Sequence, residues 1–351
     1  MTIFIMRRML QAIGMVFLLS IVQFTLVNLA PGGPLAGQGQ SRHLPPEQAA
    51  MLRRQLGLDQ PLPVQYITWL VGNDWMKVDA NGDGIYESPG TRQGVLRGDF
   101  GNSFWTHQPV LQEISLRLPN TLYLMSLTLL VALLIAIPIG VYSAVRQYSL
   151  FDITFTTLSF AGQAIPEFWL GLVLVLVFYA LLKNPFTGEP LLPAGGMYTL
   201  GSEPLSGMAF LGDRLRHLVL PVMTGALGWV AWYSRFLRSS MLDVINQDYL
   251  RTARAKGASL RRLIFHHALR NALIPLVTLF SLDLPYFFGG AVFIETIFAW
   301  PGMGRLYYQA ALQRDYPLLM AVLIIGSLFI ILSNLLADIF YALLDPRIRY
   351  N

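Results

Sequence analysis

Six long apolar blocks, separated by more polar stretches, dominate the pattern of the chain. Each block is long enough to cross about 30 Å of hydrocarbon at about 1.5 Å per helical residue. A large soluble core would instead place its apolar residues at amphipathic spacing, and these blocks are almost uninterrupted. The pattern therefore predicts an all-α integral membrane protein with six transmembrane helices, over Met9–Leu29, Thr121–Val141, Ile153–Leu182, Leu218–Leu237, Ala272–Phe293 and Leu318–Leu344.

Composition supports a lipid-facing surface. Only 13% of the 351 residues are charged, whereas a soluble domain carries roughly 25%. The chain has no cysteine, which excludes disulfides and zinc–thiolate sites. A net charge of +5 could suggest nucleic acid, but the basic residues gather in short segments between apolar blocks, so we expect membrane lipid and no nucleic acid as a partner.

The distribution of Lys and Arg predicts the orientation. Segments 1–8, 144–151, 235–271 and 345–351 hold 13 of the 25 basic side chains, which places both termini in the cytoplasm. Arg7 and Arg8 could instead open a signal peptide. The apolar block after them is longer than a signal core, and no small-residue cleavage site follows, so a retained helix is expected.

This topology divides the chain into four predicted parts. Residues 1–30 form the cytoplasmic end and first helix, and 31–118 a long extracytoplasmic loop with a short helix near Pro46–Leu56. Residues 119–345 form a five-helix core that includes a cytoplasmic connection, 239–271, and 346–351 form a cytoplasmic tail. The second outside segment, 183–216, is rich in Pro and Gly and is predicted to be irregular.

The cytoplasmic connection has the pattern of a helix, a glycine break and a second helix. Asp248 favours a helix start, and Lys256 suits the negative end of the helix dipole. Gly257 can adopt the left-handed conformation that ends a helix, and Ser259 can cap the next one. Such a compact basic element could dock in a groove on a partner or lie at anionic head groups. The residue pattern leaves both alternatives open.

The same stretch resembles the cytoplasmic loop signature of permease subunits in binding-protein-dependent ABC importers, and more closely their dipeptide and oligopeptide branch. The match is Tyr249-Leu-Arg-Thr-Ala-Arg-Ala-Lys-Gly257, followed by Arg270-Asn-Ala-Leu-Ile-Pro275. The acidic residue that opens the general signature is replaced by Arg251-Thr252, the usual form in the peptide branch. Further stretches resemble that branch along nearly the whole chain: Leu29-Ala-Pro-Gly32, Gly98-Asp-Phe-Gly-Asn-Ser103, Leu118-Pro-Asn-Thr121, Ile165-Pro-Glu-Phe-Trp-Leu-Gly171, Glu295-Thr-Ile-Phe-Ala-Trp-Pro-Gly-Met-Gly304 and Asp345-Pro-Arg-Ile-Arg-Tyr350.

The resemblance implies a type I ABC importer permease fold in the plasma membrane of a prokaryote. It implies work beside a second, homologous permease subunit, two ATPase subunits and an extracytoplasmic solute-binding protein. A coupling helix seated in an ATPase cleft would then transmit nucleotide-driven closure to the membrane helices. Its predicted residues are Tyr249, Arg251, Thr252, Ala253, Ala255, Lys256 and Gly257.

Catalysis by the chain itself is not expected, and no cofactor is predicted. A phosphate-binding loop needs a Gly-Lys pair, and none of the three lysines follows a glycine. ATP hydrolysis therefore falls to the partner subunits. The alternative function is a stand-alone channel or ion-driven secondary transporter, which would move solute without ATP and keep full activity after Gly257→Pro.

Two acidic residues are candidates for the translocation pathway. An ionised carboxylate inside the bilayer costs about 2.5–3.5 kcal/mol, so it suggests function. Asp283 lies within the fifth predicted helix, and Glu167 follows Pro166 in the third. The alternative for both is a packing role. An aspartyl protease built from Asp283 and Asp338 is disfavoured because the two would lie at different depths.

A metal site is not predicted. The stretch from Asp79 to Glu87 resembles the start of a calcium loop, with oxygen side chains at positions 1, 3 and 5 and glycine at 6. Position 12 is Gly90, where such a loop needs a bidentate Glu. An Asx-rich turn is therefore the favoured interpretation.

Overall fold

The computed structural model describes residues 2–29, 46–79, 81–199, 207–283 and 292–344, and most of them are helical. A two-residue antiparallel pair, β1 (Lys77–Val78) and β2 (Ser88–Pro89), lies within the predicted loop 31–118. The helices are α1 (Thr2–Leu29), α2 (Pro46–Gln55), α3 (Leu62–Val71), α4 (Val110–Val145), α5 (Leu150–Ala164), α6 (Glu167–Val175) with a π-helical continuation (Leu176–Leu181), α7 (Met208–Ile245), α8 (Asp248–Ala255), α9 (Leu260–Arg262), a π-helical turn (Leu263–Ala268), α10 (Leu269–Asp283), α11 (Val292–Ile297), α12 (Met303–Gln313) and α13 (Tyr316–Leu344).

Several of these helices have the length and apolar character of membrane spans. Among the described residues, Met6–Leu29, Val110–Val145 and Tyr316–Leu336 meet both criteria, and α5 with α6 makes a fourth if the bent pair is one span. The more polar α7 covers the predicted fourth span, and α10 covers the start of the fifth. Residues 284–291 of the fifth span lie outside the described residues, and its last two residues begin α11. The mostly helical membrane class is thus confirmed, while the count of six stays a prediction.

The third predicted span is not one straight helix. It breaks between α5 and α6, whose axes differ in direction by 99°. Ile165 has the extended conformation that the ring of a following proline imposes on its neighbour, with ψ 122°. Pro166 is then the N-cap of α6, a position at which the helix does not need the N–H that proline lacks. The bend explains why this apolar block is so long.

Two other helices extend well beyond their predicted apolar spans. α4 starts at Val110 rather than Thr121, and α7 runs from Met208 to Ile245 rather than from Leu218 to Leu237. Hydropathy marks only the part of a helix that is apolar all round, and the polar outer turns carry no such signal. Residues 208–216, predicted to be irregular, are therefore helical. The helix predicted near Pro46–Leu56 is confirmed by α2, whereas α3 was not predicted.

The chain forms two compact units. The first comprises 1–119 and 306–331, and the second 120–305 and 332–351. In the first unit, the rings of Tyr66 and Trp69 pack on Phe24, with centroids 5.4 and 5.6 Å away. This cluster continues to Tyr316 and Met320. The four-part division made from topology is a separate prediction that the structure does not test.

Candidate coupling element and polar sites

The predicted coupling residues form a short amphipathic helix, α8, in the second unit. Its apolar side is held by Leu250, which is only 7% exposed, and by the half-buried Ala253. The opposite side is exposed: Tyr249, Arg251, Thr252, Ala255, Lys256 and Gly257 all face outward. Arg251 lies 3.5 Å from Asp248, and both of these side chains are largely solvated. The element therefore has an apolar face that is packed in the core and a polar face that is exposed.

Gly257 ends α8 in the way the sequence predicts. Its φ of 83° is in the left-handed region, which favours glycine because other residues place a Cβ against the carbonyl. Its N–H donates to Arg254 O at 3.0 Å, and the N–H of Ala258 donates to Ala253 O at 3.2 Å. These two bonds, with Ala253 and Ala258 on the same apolar cluster, make a Schellman ending.

The second half of the connection is tied to the first. Ser259 Oγ accepts a bond from the N–H of Arg262 at 3.4 Å, so the predicted cap is confirmed. Asn271 Nδ2 donates to Tyr249 Oη at 2.8 Å and links the two matched parts of the loop signature. The π-helical turn 263–268 lies between them, and such turns occur frequently at functional sites.

One apolar cluster anchors α8 to the ends of three longer helices. Val141 and Ala144 come from α4, Leu237 and Met241 from α7, and Ala272 from α10. They enclose Leu250 and Leu263. Ser240 Oγ donates to Ala272 O at 3.0 Å and joins α7 to α10 beside this cluster. A force on the exposed face of α8 therefore acts on all three helices through close-packed side chains.

The two candidate pathway acids lie on separate helices. Asp283 is the last residue of α10, is half-buried, and accepts a bond from Tyr233 Oη at 2.6 Å. Glu167 is the first residue of α6, directly after the bend, and its side chain is exposed. Tyr233, which is fully buried, was not singled out by the sequence. The side chain of Asp338 lies outside the described residues.

A buried carboxylate that sequence reasoning missed lies on α11 in the second unit. Glu295 is fully buried. It accepts bonds from Thr121 Oγ1 at 2.7 Å and from the N–H of Arg305 at 2.9 Å, and the N–H of Gly304 adds a third. Thr121 Oγ1 in turn accepts from the N–H of Met303 at 2.7 Å. Burial raises the pKa of Glu295, and these hydrogen bonds act in the opposite direction.

The backbone around Glu295 is shaped to admit that carboxylate. A Cβ at Gly302 would collide with the Glu295 carboxyl group. Trp300, also fully buried, donates its indole N–H to Asn120 O at 3.1 Å, and Asn120 Nδ2 donates to Pro301 O at 2.9 Å. Two stretches that carried the resemblance, 118–121 and 295–304, thus form one hydrogen-bonded junction. The sequence signal that could have revealed this junction is the pair Gly302 and Gly304 a short distance after Glu295.

A second buried carboxylate organises the stretch 98–105 of the first unit. Asp315 directly precedes α13 and is 1% exposed. Ser103 Oγ donates to its Oδ2 at 2.5 Å, and the N–H of Phe104 donates to its Oδ1 at 3.2 Å. The end of the stretch 98–103 is therefore fixed to the start of α13, while Trp105 next to it stays exposed.

The stretch that resembles a calcium loop is an Asx-rich turn. Asp79 Oδ1 accepts from the N–H of Gly82 at 2.6 Å, and its Oδ2 accepts from the N–H of Gly84 at 2.7 Å. Within the described ranges, no group of three or more His, Cys, Asp or Glu side chains is placed to hold a metal ion. Both oxygens of Asp79 therefore accept from backbone amides of the loop, which is the pattern of an Asx-rich turn.

Comparison with known proteins identifies the family. The family model described as "binding-protein-dependent transport system inner membrane component" matches residues 136–350. The chain belongs to this family. A companion model for the N-terminal part of the same membrane components matches residues 1–125. The two matches cover nearly the whole chain, so the membrane class inferred from hydropathy and the resemblance inferred from the loop signature are both confirmed.

Curated relatives extend over the same full length. The oligopeptide transport system permease protein AppB of Bacillus subtilis is 41% identical over 351 residues, covering 100% of both chains. A probable peptide ABC transporter permease protein, y4tP, of Sinorhizobium fredii is 37% identical, also over 100% of both. The dipeptide transport system permease protein DppB of Escherichia coli is 34% identical, covering 99% of this chain and 98% of the relative.

Proposed function

We propose that this member of the family is the permease subunit of an ATP-driven importer that carries peptides or similar small solutes. Relatives matching over their whole length are named as oligopeptide, peptide and dipeptide permeases. Identity of 34–41% without truncation supports the same role in the membrane. The cargo is proposed only as a class, because a separate binding protein would select it.

The observation that carries the proposal is the construction of α8. Leu250 and Ala253 fix one face in the core, and Gly257 at φ 83° sets the angle at which the chain leaves the helix. The exposed polar face offers Arg251 and Lys256 to a partner. In this proposal the exposed polar face of α8 binds in a cleft of an ATPase subunit. Closure of two such subunits then moves α8 together with the matching helix of the second permease. The permeases then rock between inward-open and outward-open forms.

The proposed assembly and topology follow the sequence pattern. Six spans in a type I permease fold, with both termini in the cytoplasm of a prokaryote, put 235–271 on the ATPase side and 31–118 on the outer side. The partners are a second homologous permease, two ATPase subunits and an extracytoplasmic solute-binding protein. Because the stretches 98–103 and 295–304 fall on the outer side, we assign them to gating or to contact with the binding protein.

Asp283 is the proposed pathway residue, and Glu167 is the second candidate. The Asp283 carboxylate could receive the cationic amino group of a peptide, with Tyr233 fixing its orientation through the 2.6 Å hydrogen bond. Glu167 is exposed at the bend between two helices, where a passage could reach it. Acidic residues within membrane segments are rare, and they almost always face the bundle interior or a water-filled cavity rather than lipid, so they mark substrate paths.

The coupling proposal is tested by a pair of glycine variants in the complex reconstituted with its ATPase and binding protein. Gly257→Pro removes the N–H bonded to Arg254 O and forbids φ 83°. Gly188→Pro is the matched control: its φ is 70°, its N–H donates to Asn184 O at 2.9 Å, and both glycines have open space at Cβ. We expect loss of ATP-dependent peptide uptake only for Gly257→Pro.

Full uptake by Gly257→Pro, or uptake by the wild-type chain without ATP, would refute the importer proposal and favour a channel or ion-driven transporter. The pathway proposal has its own comparison. Asp283→Asn and Tyr233→Phe both alter the same hydrogen bond, but only the first removes the charge. We expect peptide uptake to fall strongly in Asp283→Asn and to be largely kept in Tyr233→Phe. Equal losses would assign the pair to packing.

A further inference from the structure

A largely buried ion pair joins α5 to α7 and lies outside the proposed coupling element. Arg238 Nε donates to Asp152 Oδ1 at 2.6 Å, and Arg238 Nη2 donates to Asp152 Oδ2 at 2.7 Å. The Asp152 side chain is only 3% exposed and that of Arg238 is 23% exposed. This is a bidentate, two-bond fork, the geometry that a guanidinium offers and an ammonium does not.

Asp152 also fixes the connection between α4 and α5. Its Oδ2 accepts from the N–H of Tyr148 at 2.9 Å, and Tyr148 holds the left-handed φ of 60°, which is uncommon for a residue with a Cβ. Ser149 caps α5 by accepting from the N–H of Asp152 at 3.2 Å. The carboxylate therefore sets where α5 begins and is itself held by Arg238.

Arg238 lies on α7 between residues that belong to the anchor of the coupling helix. Its neighbours Leu237 and Met241 are fully buried in the cluster that encloses Leu250. The backbones of α4 and α7 are also close here, because a Cβ at Gly140 would come within 2.8 Å of Ser234 O. One side of this part of α7 thus contacts the coupling element, and another side holds the start of α5.

A second arginine ties the later part of α5 to α7. The Arg235 guanidinium carbon lies 4.4 Å from the centre of the Phe160 ring, and its Nη2 bonds Gln163 Oε1. Ordinary packing of two apolar helices needs neither arginine. A largely buried ion pair adds little net stability compared with apolar residues of the same shape, but it fixes one relative position of its two helices.

We propose that Asp152 and Arg238 are a positioning pair for coupling, which makes α5 follow the displacement of α7 when the ATPases close on α8. The proposal rests on the proposed function, since it requires ATP-driven motion of α8. It predicts that the pair controls how much import each ATP yields, rather than whether the complex assembles or hydrolyses ATP.

The test uses the full reconstituted complex and measures peptide uptake and ATP hydrolysis in the same vesicles. The double variant Asp152→Asn with Arg238→Gln removes both charges without leaving one buried alone. Arg238→Lys keeps the charge and loses the fork. We expect both to hydrolyse ATP at rates near wild type and to import about tenfold less peptide per ATP, in the ordinary range of coupling between sites. Arg146→Gln, an exposed arginine in the α4–α5 connection, is the control and should match wild type.

Two results would overturn the proposal. One is an unchanged ratio of peptide imported to ATP hydrolysed in both variants, whether the two rates stay at wild type or fall in parallel. The other is failure of Arg238→Lys to assemble, which would assign the pair to folding. These are distinct from failure of the proposed function, in which the wild-type complex itself would show no ATP-dependent uptake.

Discussion

The junction around Glu295 supports a sharp prediction because one side chain and one glycine depend on each other. Gly302→Ala should destabilise the protein, since the new Cβ would overlap the Glu295 carboxyl group. Gly302 does not have a positive φ, so the whole cost is steric. Overpacking of this kind typically costs about 1–3 kcal/mol.

Glu295→Ala should also be destabilising, by a different route. The hydroxyl of Thr121 and the N–H groups of Arg305 and Gly304 lose a common acceptor inside the protein. An unpaired buried donor costs about 1–3 kcal/mol, and relief of burying a carboxylate offsets part of the sum. We therefore expect a net loss of about 3 kcal/mol, and a smaller loss for Glu295→Gln, whose amide keeps one acceptor oxygen.

The decisive variant combines the two changes. When Ala stands at 295, the space taken by the carboxylate is free, and Ala at 302 should cost nothing further. The two single effects are then non-additive by the full cost of Gly302→Ala, about 1–3 kcal/mol. The assay is the free energy of unfolding in mixed micelles, measured for wild type, both single variants and the double variant. Gly212→Ala, a helical glycine with open space at Cβ, is the control and should be neutral or stabilising.

Additivity would refute this reasoning. If Ala at 302 destabilises the Glu295→Ala background as much as it does the wild type, the carboxylate is not what Gly302 accommodates. A neutral Gly302→Ala in the wild type would be an equally clear contradiction.

The remaining predictions concern the pH dependence of stability, the apolar cluster that anchors α8, and the segment 98–109. Because the pKa of Glu295 is raised, the folded protein still binds a proton at pH values where the unfolded chain has lost it. The free energy of unfolding should therefore fall as pH rises from about 4.5 through the raised pKa. Unfolding measured across pH should show no such fall for Glu295→Gln. Leu250→Ala should cost about 2–5 kcal/mol and weaken co-purification of the ATPase, whereas Leu260→Ala, 58% exposed, should do neither. Asp315→Ala should speed proteolysis within 98–109, because Ser103 and Phe104 lose their acceptor, and Glu87→Ala should leave the cleavage rate unchanged.

Local features of the site could be predicted from sequence because short-range chemistry decides them. The end of α8 at Gly257 and the cap at Ser259 need only residues within one turn, and both are confirmed. Pro166 interrupts the third predicted span for the same local reason, because its ring disfavours helix at the residue before it. The 99° bend was not predictable, since the extended conformation before a proline fixes one ψ angle but not the direction in which the next helix packs.

Long-range pairings could not be read from the sequence. Glu295 and Thr121 are 174 positions apart, and Asp152 and Arg238 are 86 apart. The stretches that hold Glu295 and Thr121 both resembled the peptide branch, but resemblance of separate segments does not say which of them touch. Asp152 lies at the edge of an apolar block and Arg238 in a basic segment, where both patterns are typical of solvated helix ends. Hydropathy therefore gave no reason to pair them.

A short part of α7 brings these contacts together, and under the proposed function it would transmit motion of α8 to α5 and α10. Between Tyr233 and Met241, about 12 Å along the helix axis, α7 holds Asp283 through Tyr233 and α5 through Arg238. The same part packs on the anchor of α8 through Leu237 and Met241. An α-helix of two turns is stiff, so one face cannot shift while the others stay in place. A displacement of α8 must either move the Asp283 and Asp152 contacts together or break one of them. The ion pair is the contact best able to resist breaking, because two charge-assisted bonds must be lost at once.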